Sequence, residues 1–338
     1  MTWYVACLSG DLRRKPVARM IDGTPLALFR DGAGVAVALL DRCPHRNVPL
    51  SYGTVEQGLL QCCYHGWRFD GAGACRAIPG LAAGAETDKR ARRAEAFPTA
   101  EHDGFVWVQT DTSPANGAGP YRFPHVEAPG YTTVRKHVRF SAGLHACLEN
   151  TLDVPHTAFL HGGLFRGNRE PVEIEVVVRA IADGVEAEYL GEPRPEGLAA
   201  RILAPEGGVL THFDRFLLPS VAQVEYRLGE NHLVNTAAFT PVSEFETDLH
   251  AAITFHLRMP HAPVRAAITP VVNRILHQDS VVLRRQSEAI QRFGGEQFAS
   301  TELDVLGQHI RKLLRQAERG ESPAPGETTE VRRVTMRV

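Results

Sequence analysis

Two histidines five residues apart, His156 and His161, follow Asn150 and Asp153 in one short stretch, and such a set is equipped to hold a metal ion. Neutral imidazoles ligate iron, zinc, copper and nickel. Two of them with one carboxylate and open positions make the facial triad of mononuclear non-haem Fe(II). On an ideal helix Asn150, Asp153 and His156 step by three and share a face, whereas His161 sits roughly 140° round from His156. Pro155 relieves the mismatch, because an internal proline kinks or breaks a helix and re-aims the residues beyond it. The spacing thus predicts a helix deformed where two nitrogens must converge. An amphipathic helix with two satisfied histidines is the plainer alternative.

A second constellation lies earlier. Cys43, His45, Cys62 and His65 form a C-x-H and C-x-x-H pair with 16 residues between. Two thiolates and two imidazoles suit zinc, or a [2Fe–2S] cluster with histidines on one iron. The neighbours Pro44, Arg46, Pro49, Gly53, Gly66, Trp67, Asp70 and Gly71 complete a longer pattern, as do Trp3, Tyr4, Pro16 and the run from Gly23 to Phe29. Together they resemble the Rieske domain of ring-hydroxylating and demethylating oxygenases. Cys62, not Cys63, has the C-x-x-H spacing to His65. Cys63 is expected to be a small buried thiol, like Cys7, Cys75 and Cys147. Imidazoles in place of two thiolates raise the potential of such a cluster. No further cysteines flank the loops in the arrangement that staples respiratory Rieske proteins, which fits the lower-potential oxygenase type.

The resemblance extends through Glu149, Asn150, Asp153, His156 and His161, which are similar to the mononuclear-iron motif of Rieske oxygenase catalytic subunits. It implies His156 and His161 as nitrogen ligands and a carboxylate from a later helix. That carboxylate is Asp279, on an apolar stripe between Leu276 and Val282/Leu283 where an unpaired acid is costly. Gln278 stands where the family commonly has an acid, and Arg284 where Glu is frequent. Asp248 and Asp304 are more distant candidates. Asp153 matches the acid that links the two centres across subunits of a head-to-tail homotrimer, orienting ligand imidazoles. Asn150 lines the iron site or stabilises the helix start. The chain would then be a terminal oxygenase component with a Rieske [2Fe–2S] cluster and mononuclear Fe(II). It would take electrons from a separate reductase or ferredoxin, since no flavin or nicotinamide motif is present. It would act with O2 on a hydrophobic or aromatic small molecule held by residues within 164–260. The wording is most similar to single-component-type monooxygenases and demethylases, of the dicamba and vanillate demethylase kind, and also to pheophorbide-oxygenase-like members. A Rieske electron-transfer protein would account for residues 1–110 only, and a helix-grip binding module would leave both metal motifs unexplained.

The elements that must position these residues can be read from the same pattern. The 338 residues suffice for two cores, and a formal net charge of −2 suggests neither nucleic acid nor an anionic membrane as partner. No apolar run is long enough to span a bilayer, and the first residues lack a basic segment before an apolar one, so a cytoplasmic location is expected. Strand-like runs at 17–21, 26–29, 35–40 and 104–109, with turns at Asp31-Gly32 and Asp70-Gly71, predict a small antiparallel β domain. Residues 111–130 read as a linker. Strands are predicted at 131–140, 172–179, 184–190, 209–218, 220–228, 232–240 and 248–258. Helical spacing then runs from Pro263 to about Phe293, with Ile268, Val272, Ile275, Leu276, Val282 and Leu283 as its buried stripe, and a last helix covers about 302–319. The expected class is α+β. An N-terminal antiparallel β Rieske domain (1–110) is followed by a helix-grip (START/Bet v1-like) catalytic domain (131–320) with a curved antiparallel sheet and long helices. Residues 321–338 form a tail, in which 331–338 alternate like a strand.

Overall fold

The computed structural model describes residues 2–82, 84–110, 119–162, 172–193, 210–257, 261–321 and 331–337. Part of the expected linker (111–118) and of the expected pocket lining (164–171, 194–209, 258–260) lies outside them. The chain divides into two compact units, Met1–Arg122 with Thr240–Ser243, and Phe123–Phe239 with Glu244–Val338.

The first unit is built of short antiparallel strands in three sheets. The first has β1 (Trp3–Leu8), β11 (Phe105–Gln109) and β10 (Thr99–His102) in that order. The second orders β2 (Val17–Ile21), β3 (Thr24–Arg30), β4 (Ala36–Leu40) and β9 (Ala96–Phe97). The third orders β5 (Thr54–Glu56), β6 (Leu59–Gln61), β7 (Arg68–Phe69) and β8 (Cys75–Ala77). Three hairpins close through two residues that both have positive φ: Asp22-Gly23, Gln57-Gly58 and Asp103-Gly104. Such turns match the right-handed twist of the strands they join. At Gly58 any side chain would collide with the backbone, since a Cβ would lie 2.1 Å from Gly32 N. The turns at Asp31 and Asp70 share another device: each Oδ1 accepts two backbone N–H groups, from Ala33 and Val35 and from Ala72 and Ala74. One core, with Leu50, Leu60, Phe69, Phe29 and Leu39, also encloses Cys43 and Cys62.

The second unit is one antiparallel sheet, eight-stranded among the described residues, with helices on its inner face. Its strands are β12 (Thr132–Phe140), β13 (Glu173–Ile181), β14 (Gly184–Leu190), β15 (Leu210–Leu217), β16 (Val221–Leu228), β17 (Asn231–Ser243), β18 (Glu246–His256) and β19 (Arg332–Arg337). They are ordered β12-β18-β17-β16-β15-β14-β13-β19. Arg332–Arg337, expected in the tail, thus pairs with β13 at the sheet edge. The helices are α1 (Leu144–Leu152), α2 (His156–Leu160), α3 (His261–Phe293) and α4 (Gly307–Glu318). Long α3 lays its apolar stripe on the sheet. Ile268 and Val272 pack with Val134, Ile253 and Phe255, and Leu276 and Leu283 join Phe216, Ala237, Phe239 and Leu249. Val282, expected in that stripe, is instead 40% exposed. One residue before Leu283, it is turned about 100° away from the core face. The class is α+β, as the alternating runs followed by helical spacing implied.

Two candidate metal centres

In the first unit two loops present the sulfur and imidazole groups, and they turn in the same way. Cys43 N donates to Val48 O and Asn47 N donates back to Cys43 O, at 2.9 and 2.8 Å; Cys62 N donates to Trp67 O and Gly66 N back to Cys62 O, at 2.8 and 3.1 Å. The fourth residue after each cysteine has positive φ, 62° at Asn47 and 68° at Gly66. Both turns thereby root a buried cysteine in the core and raise a histidine above it. The rings of His45 and His65 lie 4.5 Å apart, and Trp67 stacks on His45 at 4.6 Å. His45 Nδ1 is buried with no hydrogen-bond partner. Desolvation and the neighbouring His65 lower the pKa of His45, favouring the neutral ring that ligates metal. Burial pushes the Cys43 thiol up to about 11, so holding it as a thiolate calls for a metal cation. Two buried sulfurs and the adjacent rings of His45 and His65, one with an orphaned nitrogen, fit the two-thiolate, two-imidazole donor set of a Rieske cluster. Cys63, expected to be buried, is exposed. Its neighbour Cys62 points inward, and successive side chains in this turn diverge.

In the second unit the chain breaks where the second histidine had to be re-aimed. Helix α1 ends at Leu152, Asp153 takes extended dihedrals as its C-cap, and Pro155 opens the short helix α2. Asp153 is therefore at a helix end instead of on one helical face with Asn150 and His156. Its carboxylate accepts from His156 N at 3.2 Å, and its backbone carbonyl meets His156 Nδ1. That contact commits Nδ1 and leaves Nε2 to face Asp279 on α3. His156 Nε2 lies 3.8 Å and His161 Nε2 3.2 Å from Asp279 Oδ1. One ligand atom from each of His156, His161 and Asp279 lies within 4.8 Å of the others.

The distances would pass for ion pairs, yet Asp279 Oδ1 is buried and has no properly directed hydrogen bond. An ionised oxygen so placed is costly unless a cation completes it. The three groups fit a divalent iron with open positions. Burial opposes charge on His161, but Asp279 outweighs it and raises the pKa. On its other edge His161 Nδ1 donates to Gln278 Oε1 at 3.1 Å, so the residue that departs from the family pattern is the one that fixes this tautomer. Asn150, Asp153, His156 and Leu283 line one cavity of about 1300 Å³, with Tyr189 also on its wall.

The more distant carboxylates are engaged elsewhere. Asp304 accepts from Thr301 N before α4. Asp248 forms a two-bond pair with Arg139 and gathers with His137 and His250. Those two rings stack in parallel, 4° apart, so their in-plane lone pairs do not meet at one ion.

Both halves of the chain are similar to known proteins. Residues 2–98 match the Rieske [2Fe-2S] domain and residues 140–320 the vanillate O-demethylase oxygenase C-terminal domain. The oxygenase component of dicamba O-demethylase from Stenotrophomonas maltophilia is 38% identical over 47% of this chain and 46% of its own length. The chain spans about half the length of the curated relatives it matches. A crystal structure of dicamba monooxygenase bound to dicamba superposes with a TM-score of 0.80 at 25% identity, covering 94% of this chain and 97% of that one. Another, holding non-haem iron and dicamba, aligns at 0.74 and 24% identity over 94% and 96%. The cofactors are thus a [2Fe–2S] cluster and a mononuclear iron, and the chain belongs to the Rieske oxygenases whose catalytic part is of the vanillate O-demethylase type.

Proposed function

We propose that the chain is the terminal oxygenase component of a multicomponent system, hydroxylating or oxidatively demethylating a hydrophobic small molecule. One oxygen atom of O2 enters the substrate and the other leaves as water, with two electrons and two protons supplied from outside. When bound, the cluster supplies one-electron transfer and the iron supplies oxygen activation. Cys43, His45, Cys62 and His65 would hold the first, and His156, His161 and Asp279 the second. The single observation that carries the reading is the convergence of His156, His161 and Asp279, with two imidazole nitrogens facing the buried Asp279 Oδ1.

The protein's own groups then have distinct tasks. The Asp153 backbone carbonyl and the Gln278 side chain fix the tautomers and tilt of the two ligand rings. Leu283 and Leu152 keep one wall of the cavity apolar, and Asn150 offers it an amide. Electrons come from a separate reductase or ferredoxin. A homotrimer is part of the reading, with residues 1–110 of one copy serving the 131–320 domain of the next. Phe159, 91% exposed beside His156, and the Asp153 side chain, 31% exposed, support a partner surface at this place. A cytoplasmic location fits six unpaired cysteines.

Anaerobic purification with iron and sulfide analysis tests the reading. About three irons to two sulfides per chain are expected, falling to about two to two in Asp279→Ala with the visible spectrum of the cluster intact. Full iron content and turnover in Asp279→Ala would reject the assignment.

A further inference from the structure

Charge is unevenly placed along the first unit. From Arg42 to Arg93, the stretch that carries both cysteine–histidine loops, there are eight lysines and arginines but four carboxylates. That is a surplus of four positive charges on a chain whose formal net charge is −2. Half of those cations stand in one run, Lys89-Arg90-Ala91-Arg92-Arg93.

The fold ties this run to the core that holds the two ligand sulfurs. Ala94, the next residue, is buried in that core with Cys43, Cys62 and Cys75, and its N–H donates to Gly73 O at 2.9 Å. Ile78 packs on the same core. Pro79 lies against Gly66, the neighbour of His65, where an added Cβ would come within 3.0 Å of the proline Cγ. Burial raises the pKa of the Cys75 thiol, and Arg92 is near enough to offset part of that rise. The run therefore borders the cluster loops in space. A second cationic run, Arg13-Arg14-Lys15, follows Leu12, which belongs to the other core of this unit, with Cys7 and Val106.

The carboxylates beside the run are largely spent. Arg93 holds both oxygens of Asp88, at 2.8 and 2.7 Å. Arg76 bonds Asp70 Oδ2 at 2.6 Å, while Oδ1 serves its own turn. Lys89 and Glu86 are 3.9 Å apart and both more than half exposed, a loose pair. Arg92 Nη1 donates to the backbone carbonyl of Glu86, not to its carboxylate. Arg90 is exposed and has no carboxylate partner among the described residues. With the exposed Glu95 counted, cations still outnumber acids at this place. What the face offers a partner is unspent cationic donors, and such a rim draws an acidic protein from a distance.

We propose that Arg90, with Lys89 and Arg92 beside it, is the landing face for an acidic iron–sulfur electron donor. This rests on the reading that electrons reach the chain from a separate protein, and it adds where that protein docks and what charge it carries. One electron is exchanged on landing: the donor's centre is oxidised and this chain's cluster reduced, with no proton or bond transferred.

The probe is a reduced plant-type [2Fe–2S] ferredoxin, an acidic protein whose potential lies below that of Rieske centres. Its reaction with the full-length, cluster-loaded chain is followed by stopped flow at low and high salt, and the affinity of the two oxidised proteins by calorimetry. Lys89→Glu/Arg90→Glu should slow reduction and weaken binding about tenfold or more at low salt, with the difference shrinking at high salt. Arg90→Lys should behave as wild type. Photoreduced deazariboflavin, an uncharged reductant, should reduce all forms equally fast. Should Lys89→Glu/Arg90→Glu fail to hold its cluster, Arg90→Ala carries the test, with a severalfold loss. No binding of the ferredoxin, or wild-type rate and salt dependence in the folded variants, would overturn the landing face. So would an equal loss with deazariboflavin, undiminished reaction of ferredoxin whose carboxylates have been amidated, or a loss confined to Arg14→Glu. Reduction of the chain by NADH alone, at a rate no ferredoxin raises, would instead bring down the separate-donor reading.

Discussion

At the scale of single residues, the contact on the far edge of His156 and of His161 decides which ring nitrogen faces Asp279. Gln278 Oε1 accepts the hydrogen bond from His161 Nδ1 and so leaves Nε2 to face Asp279. Gln278→Leu should lower Fe(II) affinity about 10–100-fold, and Gln278→Glu should recover it, as an Fe(II) titration of stripped protein would register. His212 gives a second prediction, in pH. Burial opposes its charge, but Asp214 and Glu192 outweigh it, and its folded pKa of about 9 lies above the 6.5 of a free histidine. Its stabilisation is therefore complete below about pH 6.5 and is lost as pH climbs through 9, amounting to about 3 kcal/mol at most. Thermal melts from pH 6 to 10 should show Tm falling over that window, and His212→Phe should flatten the profile. Cys43, His45, Cys62, His65, His156 and His161 could all be picked out by type and spacing. Asp279 was reached through the resemblance, its place on an apolar stripe being the supporting signal, and the structure brings it within reach of both histidines. Asp153 at a helix end was not legible, because residues three apart look alike on a continuous helix and on a broken one. His212 and Asp214 left a trace as polar residues on the buried beat of β15, but one strand cannot say what faces it.

At the scale of elements, the break between α1 and α2 is what turns two histidines five apart toward one carboxylate oxygen. Pro155 starts α2 and cannot donate the hydrogen bond that would continue α1 through it. Pro155→Ala removes that bar, so part of the population should join the two helices and swing His161 away from Asp279. The expected outcome is about tenfold weaker iron binding with helix content by circular dichroism unchanged or raised. Unchanged affinity would place the cause of the break in packing. The sheet was legible almost strand by strand because period-two burial is a local signal. The pairing of β13 with β19 was not, since alternation in 331–338 gives a strand no neighbour.

At the scale of the whole molecule, two cores of different construction carry the two centres. Tight hairpins and core-rooted cysteines hold the first, and one long helix laid on a broad sheet holds the second. The second depends on its outermost strand, because Val334 and Met336 of β19 are buried in the main core. Removing residues 331–338 would forfeit about 3–6 kcal/mol of apolar burial. For a unit of this size Tm should fall about 6–20 °C. It would also bare the edge of β13, so light scattering should show aggregation that the intact chain lacks. The same strand sets a timetable for biosynthesis. β13 emerges from the ribosome about 160 residues before the segment that covers it, an interval of about 8–30 s at ordinary elongation rates. Throughout that interval the nascent catalytic sheet has an open flank in a crowded cell. That flank is a row of unpaired backbone groups, open to pairing with another chain until residues 332–337 arrive to cover it.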